Sequence, residues 1–270
     1  MPLKAPRLHL RTLLALVALN AVLLWAGAWV WSPLNRLSAR LGPETPAYLR
    51  REAAIGLGYG IPPWETERAV STLIRTLGDP SPRVRESAAA GLTGHGANAR
   101  GAIPYLLKLV NDKDRGARAS ALGALGVIEA ASGGKPNPEV IAALIRALDD
   151  SAMEVRLMAA EALVGLGEFR VIVPVLIAAL AEPEGTVHLC RAKLLMGRIG
   201  GKTQVLMPVF AKFITDPDPG RRDAALKILV DHGGPEVVKY ALRRGLQNQD
   251  ASVRQWAAST MDRLGLAASP

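Results

Sequence analysis

The chain has 270 residues, of which 49% are hydrophobic and only 4% aromatic, and its formal net charge is +9. That length allows one or two ordinary domains. An aliphatic core with few rings favours closely packed helices over a β-sandwich or a barrel. The single cysteine, Cys190, excludes an intramolecular disulfide and a zinc site built from cysteines.

The positive charge is concentrated at the N-terminus. Residues 1–40 contain basic side chains and no acidic ones, so this stretch carries more than half of the net charge. The remainder of the chain is close to balanced. The high isoelectric point is therefore poor support for nucleic-acid binding, and nucleic acid is not favoured as a partner.

Residues 12–31 form an apolar stretch without charges. At 1.5 Å per residue, about 20 helical residues span about 30 Å, the thickness of a bilayer core. Lys4, Arg7 and Arg11 precede the stretch, which favours a cytoplasmic N-terminus. We predict a basic flank over 1–11, a transmembrane helix over 12–32 that Pro33 ends, and a linker over 33–43. The protein is then a single-pass membrane protein with its main domain on the non-cytoplasmic side.

Two other interpretations of this stretch remain open. Ala26-Gly27-Ala28 matches the small-residue cleavage pattern of a secretory signal peptide, although the apolar run continues to Trp31. Cleavage there would release a secreted soluble protein. A buried helix of a soluble domain is the third possibility.

A pattern centred on a basic residue recurs seven times along the rest of the chain. The intervals are 32 to 38 residues, which is typical of stacked helical repeats. The central positions are Arg50, Arg85, Arg118, Arg156, His188, Arg221 and Arg254. Three residues later the pattern has Ala in six of seven cases, and seven residues later it has Leu, Ile or Met. Positions 0, +3, +4 and +7 share one helix face, so each unit contains a helix that buries this face.

Other features delimit this helix in each unit. An acidic or polar residue stands six positions before the centre, where it can cap the helix. Glycines that follow the pattern are predicted to end the helix. They are Gly94, Gly96, Gly126, Gly167, Gly200, Gly233 and Gly265. A second apolar segment with helical spacing precedes each pattern, so each unit is a helix–turn–helix pair.

These features resemble HEAT repeats of the short kind found in phycobilisome lyases. The resemblance covers about residues 44–268 and implies an all-α fold, a right-handed α-solenoid of about six or seven HEAT-like repeats. It also implies a structural ladder in which Asp and Arg six residues apart link successive repeats. The pairs that match are Asp79 and Arg85, Asp112 and Arg118, and Asp150 and Arg156. Glu44 and Arg50 match approximately.

The fifth unit departs from the pattern. His188 replaces the arginine, Arg191 replaces an alanine, and Cys190 lies between them. One hypothesis is a small site with His188 as base or ligand and Cys190 as nucleophile, but a third orienting group is missing. The other, which we favour, is that Arg191 takes over the ladder role and that Cys190 is a small packing residue. His188, Arg191 and Trp256 are candidate partner contacts, and Trp256 is also a candidate cap of the last unit.

Two segments interrupt the repeats. Residues 58–67, GYGIPPWETE, are predicted to form a loop under which Trp64 packs. Residues 131–138, ASGGKPNP, account for the 38-residue interval and are predicted to form a surface loop.

The sequence predicts no catalytic residue, no cofactor and no metal site. We therefore expect a non-catalytic, membrane-tethered scaffold that binds one or more unidentified protein partners. The alternatives are a secreted soluble repeat protein, an enzyme accessory similar to bilin lyases, and a HEAT-like nucleic-acid binder.

Overall fold

The computed structural model describes residues 32–183 and 186–266, and within these ranges the chain is helical without strands. The basic flank predicted over 1–11 and almost all of the transmembrane helix predicted over 12–32 lie outside the described residues. The chain divides into two compact units, residues 1–95 (unit 1) and 96–270 (unit 2).

Unit 1 contains two helix pairs in its described part. Each second helix carries one of the recurring arginines, Arg50 or Arg85. The helices are α1 (Pro33–Ala39), α2 (Ala47–Gly58), α3 (Thr66–Thr76) and α4 (Pro82–Thr93), and a 3₁₀ helix at Pro63–Glu65 precedes α3.

Unit 2 contains five further pairs, several of which start their first helix with a 3₁₀ turn. The pairs are α5 (Ile103–Leu109) with α6 (Arg115–Ala131), α7 (Pro138–Ala147) with α8 (Met153–Gly165), α9 (Val173–Leu180) with α10 (Val187–Ile199), α11 (Thr203–Phe210) with α12 (Pro219–His232), and α13 (Pro235–Leu246) with α14 (Ala251–Arg263). The described part of the chain thus has the helix–turn–helix units that the sequence predicts.

The repeats begin earlier than predicted. Residues 33–43, predicted as a linker, contain α1, whose Leu34 is 1% exposed. Ser32 caps this helix by accepting a hydrogen bond from the Asn35 N–H, and Pro33 is its first residue. Proline suits the first turn because its missing N–H would have no intrahelical partner there.

The turn between the two helices of a pair has the same local structure in five of the pairs. In each of these turns, a residue that lies six positions before an arginine of the second helix accepts a hydrogen bond from the backbone N–H two residues later. The distances are 2.8 to 2.9 Å. Such Asx turns need a short carboxylate or amide side chain. The residues are Asp79, Asp112, Asp150, Asp216 and Asn248.

The predicted apolar face of the second helices forms the core. The alanines at +3 and the leucines at +7 of the first four units are fully buried. They are Ala53, Ala88, Ala121, Ala159, Leu57, Leu92, Leu125 and Leu163.

Small residues let neighbouring second helices approach closely. A Cβ atom on Gly126 would lie 2.5 Å from the Cβ of Ala162 on α8, and one on Gly58 would lie 2.5 Å from the backbone of Gly91 on α4. The prediction that Gly126 ends its helix is therefore wrong, because α6 continues to Ala131. Glycine is needed at this position for the contact with α8, not for a left-handed cap.

The structure agrees with the prediction for one of the two loops and disagrees with the prediction for the other. Residues 132–137 connect α6 to α7 at the surface, as predicted. The prediction that Trp64 packs under its loop is wrong, because Trp64 is 82% exposed. It lies in the 3₁₀ helix before α3, which directs the indole away from the core.

Among the helices of residues 32–183 and 186–266, none has the length and apolar character needed to cross a membrane.

Candidate functional site

Arginines of the recurring pattern connect consecutive repeats through charged side-chain pairs, as at Arg50 and Arg118. Arg50 donates to both carboxylate oxygens of Asp79, from Nε at 2.8 Å and from Nη2 at 2.9 Å. Arg118 binds Asp150 in the same way, at 2.8 Å from both nitrogens. Each pair joins a second helix to the turn of the next repeat. Bidentate geometry fixes the orientation of both partners.

The same arginines also hold the turn of their own repeat. Arg118 Nη1 donates to the carbonyl oxygens of Asp112 at 2.9 Å and Lys113 at 3.3 Å. Arg85, Arg156 and Arg254 bind the two equivalent carbonyls of their own turns. The six-residue spacing between Asp and Arg therefore reflects a side chain that binds a backbone carbonyl. The carboxylate that the Arg50 or Arg118 guanidinium binds belongs to the following repeat.

The ion pairs shift the titration of their carboxylates. Burial raises the pKa of Asp150, but the hydrogen bonds from Arg118 and from the Ala152 N–H, with the charges of Arg118 and Arg156, outweigh burial and hold the pKa below its usual value. The balance at Asp79 is the same, with Arg50 and the Ser81 N–H as donors. Both carboxylates are therefore ionised at neutral pH.

The sixth repeat shifts the pattern by one residue, so that Arg222 replaces the predicted Arg221. Arg222 is buried, and its Nη1 donates to the carbonyls of Asp216 at 2.8 Å and Pro217 at 3.0 Å. Its Nε is buried and has no hydrogen-bond partner among the described residues. The equivalent acceptor in the next repeat is Asn248, which carries no charge.

Trp256 contacts the preceding repeat. Its ring lies 5.3 Å from the Arg222 guanidinium carbon, and its Nε1 donates to Asp223 Oδ1 at 3.0 Å. These contacts place the Trp256 ring against the sixth repeat, and its role as a cap of the last unit stays a prediction.

The fifth repeat replaces the ladder with another contact. His188 Nδ1 lies 3.0 Å from a carboxylate oxygen of Glu182, six residues earlier. Within the described residues, Arg156 binds the backbone of its own turn and the sulfur of Met153 but no carboxylate. Among the described residues, no carboxylate of the next turn pairs with Arg156 as Asp150 pairs with Arg118.

The two other unusual residues of this repeat lie apart from that contact. Arg191 pairs with Glu161 of the preceding second helix, at 2.9 Å from Nη2, so it links repeats from a different position than the ladder arginines. Cys190 is exposed, and the expectation that it packs in the core is therefore wrong. It lies on the exposed face of α10.

The helix α10 also exposes apolar side chains. Leu194 and Val187 are each 71% exposed and, seven residues apart, lie on one line of the helix. Leu194 occupies the +6 position, where the second, third and fourth repeats have the buried residues Gly91, Ala124 and Ala162. We define the α10 surface as Val187, Cys190, Leu194 and Arg198. Leu194 was not predicted as a site residue, although its size at a position held by Gly or Ala in the first four repeats was a visible signal.

A cleft of about 180 Å³ lies on the other side of α10, between α10 and α12. Leu189, Met196 and Ile228 line its apolar part, and Lys193 and Lys227 are among the charged residues at its edge. In the described residues, no cluster of His, Cys, Asp or Glu is arranged to hold a metal ion.

Comparison with known proteins identifies the class of repeat. Residues 34–126 match the HEAT-repeat family. The chain therefore contains HEAT repeats in this region. No curated protein sequence matches the chain significantly.

Several solved structures are similar. An engineered protein has 21% identity with a TM-score of 0.45, over 86% of this chain and 96% of its own. The complex of CpcE and CpcF of phycocyanin lyase from a Nostoc species has 21% identity and a TM-score of 0.44, over 86% of this chain and 94% of its own. Human deoxyhypusine hydroxylase has 19% identity and a TM-score of 0.41, over 85% and 94%. These proteins include enzymes, and at such identities the likeness concerns the fold alone.

Proposed function

We propose that the protein is a non-catalytic interaction scaffold that binds a protein partner at the α10 surface and is tethered to a membrane by its N-terminal segment. The observation that carries this proposal is the exposure of Leu194 at a position where the three preceding repeats bury Gly or Ala. Exposed large apolar side chains on a rigid repeat frame are a usual feature of protein-binding surfaces.

The charge of α10 defines the partner further. Arg198 is the basic residue of the α10 surface, and the helix contains no acidic residue. A partner segment with apolar and acidic side chains would complement it.

Position-specific photo-crosslinking tests the binding surface. A photoreactive amino acid at position 194 should give a discrete adduct with a partner protein, and the charge reversal Arg198→Glu should abolish that adduct. Val127, which is 45% exposed on the second helix α6, is the matched control position. Adducts of the same pattern from positions 194 and 127, or an adduct indifferent to Arg198→Glu, would contradict the proposal.

The tether is supported by the uncharged apolar stretch over 12–31 and by the basic residues before it. Carbonate washing of membranes, followed by protease treatment of cells with a C-terminal tag, tests it. We expect carbonate-resistant protein whose tag becomes cleavable once any outer barrier is permeabilised. A shortened, soluble protein would instead support cleavage near Ala28, and a protected tag would place the repeats in the cytoplasm.

A further inference from the structure

The point at which the N-terminal segment joins unit 1 is fixed by a hydrogen bond. The Ser32 hydroxyl donates to the carboxylate of Glu65, whose oxygens lie 2.6 and 2.8 Å away. Ser32 is buried, and Leu34, two residues later, is 1% exposed. Residue 32 therefore has one defined place on unit 1, at the start of α1 and beside the start of α3.

Two exposed aromatic side chains lie at the same end of unit 1. Trp64, 82% exposed, directly precedes Glu65. Tyr59, 60% exposed, follows the last residue of α2 and is connected to Trp64 by four residues. We call Ser32, Tyr59, Trp64 and Glu65 the entry end of unit 1.

Basic side chains accompany these aromatic residues. Arg36 is exposed on α1. Arg68 lies in the first turn of α3, donates to Asn35 Oδ1 at 3.2 Å, forms an ion pair with Glu65 at 3.8 Å and keeps 55% of its side chain exposed. Glu67 is an exposed acidic residue at this end, while the Glu65 carboxylate is engaged by Ser32.

We infer that the entry end of unit 1 rests on the lipid surface, with Trp64 and Tyr59 at the headgroup level. This inference depends on the proposed tether. If the apolar stretch over 12–31 crosses the bilayer, only one peptide unit, about 3.8 Å between Cα atoms, separates its last residue from Ser32. Because Ser32 is also held by its hydrogen bond to Glu65, the entry end then lies directly at the bilayer surface.

The chemistry of the entry end fits that position. Trp and Tyr favour the membrane–water interface, because they combine a large apolar ring with a polar group that stays hydrated. Arginines near the surface are attracted by anionic lipids. Trp64, with 82% of its surface exposed, has no such environment among residues 32–95.

Lipid-dependent quenching of a probe at position 64 tests the inference on the full-length chain. Trp64→Cys is made together with Cys190→Ser, labelled with a nitrobenzoxadiazole dye and reconstituted into phosphatidylcholine–phosphatidylglycerol vesicles. Lipids with a nitroxide near the headgroup are the quencher. The matched control is Tyr48→Cys, since Tyr48 is an exposed aromatic residue, 65% exposed, near the start of α2. Tyr48 is the second residue of α2, and the helix that follows it to Gly58 places it about 15 Å from the entry end.

We expect the probe at position 64 to be quenched several-fold more than the probe at position 48, with a blue-shifted emission. Equal, weak quenching at both positions, with protein that stays with the vesicles after a carbonate wash, would overturn the inference and leave the tether intact. Loss of the protein from the vesicles in that wash would overturn the tether and the inference together.

Discussion

At the scale of single residues, Asp150 and Asn248 occupy equivalent positions in two turns. Both accept a hydrogen bond from the backbone N–H two residues later, at 2.9 and 2.8 Å. They differ in charge, and only Asp150 binds the arginine of the preceding repeat. The turn therefore requires a short polar side chain, and the connection between repeats requires a carboxylate.

Replacing Asp150 with Asn should remove the connection and keep the turn. We expect Asp150→Asn to lower the free energy of unfolding at pH 7 by about 2 kcal/mol, the usual contribution of a hydrogen bond to a charged group. Chemical denaturation measures this change. The neighbouring Asp149→Asn, at an exposed position, is the control and should change stability by less than about 0.5 kcal/mol.

The effect of Asp150→Asn should depend on pH. The pKa of Asp150 lies below its unfolded value, so the carboxylate contributes fully above about pH 5 and its contribution is lost as pH falls through the folded pKa. The stability difference between wild type and variant should therefore shrink below about pH 4. A difference that is constant from pH 7 to pH 3 would show that the charge is not responsible.

The opposite change should strengthen the last repeat. Asn248→Asp would give the buried Nε of Arg222 a charged acceptor, and we expect it to raise the free energy of unfolding by about 1 kcal/mol. The control is Gln249→Asp, which makes the same change of net charge at an exposed neighbour. If both variants stabilise equally, the gain comes from the overall charge and not from Arg222.

At the scale of helices, the distance between second helices is set by the smallest side chains. The α6–α8 contact at Gly126 and Ala162 has no room for another methyl group. Leu194 marks the place where this arrangement ends, because a large exposed side chain follows three repeats with buried Gly or Ala. The packing of α10 therefore differs from that of α4, α6 and α8.

A methyl group at position 126 should push α6 and α8 apart. We expect Gly126→Ala to lower stability by roughly 1–3 kcal/mol, the usual cost of overpacking, despite the better helix propensity of alanine. Adding Ala162→Gly should restore part of the loss. Gly165→Ala, at the end of α8 with nothing within 4 Å of the new methyl group, should be neutral or slightly stabilising in thermal denaturation.

The sequence predicted the helix pairs and the buried face because their periodicity is local. It was a poorer guide to side-chain contacts that depend on a neighbouring repeat. The spacing of Asp112 and Arg118 is visible in the sequence, but the partner of Arg118 is Asp150, 32 residues away. The role of Gly126 was misassigned for the same reason, since its constraint comes from α8. The exposure of Trp64 was not predicted either. It depends on the 3₁₀ turn that contains Trp64, and the Gly and Pro residues around it indicated only a loop.

At the scale of the molecule, unit 2 combines a tightly packed first part with a more open fifth repeat. In repeat proteins, stability is close to a sum of repeat and interface contributions. The break in the ladder at Arg156 and the exposed face of α10 should therefore lower local stability without unfolding the rest.

Hydrogen exchange can measure this difference directly. We expect the backbone amides of α10 to exchange at least tenfold faster than those of α6 and α8, because fewer contacts must break to expose them. Mass spectrometry of peptides from the three helices provides the comparison. Equal protection would mean that the fifth repeat is as firmly packed as its neighbours, despite the exposure of Leu194.

The close contact between Gly126 and Ala162 also has a mechanical consequence. Backbones that touch cannot slide without a large rise in energy, so α6 and α8 behave as one stiff block. The packing around α10 is more compliant. A force applied through a partner bound at α10 would therefore bend unit 2 at the fifth repeat first. The block formed by α6 and α8 would keep its shape, because the deformation would occur around α10.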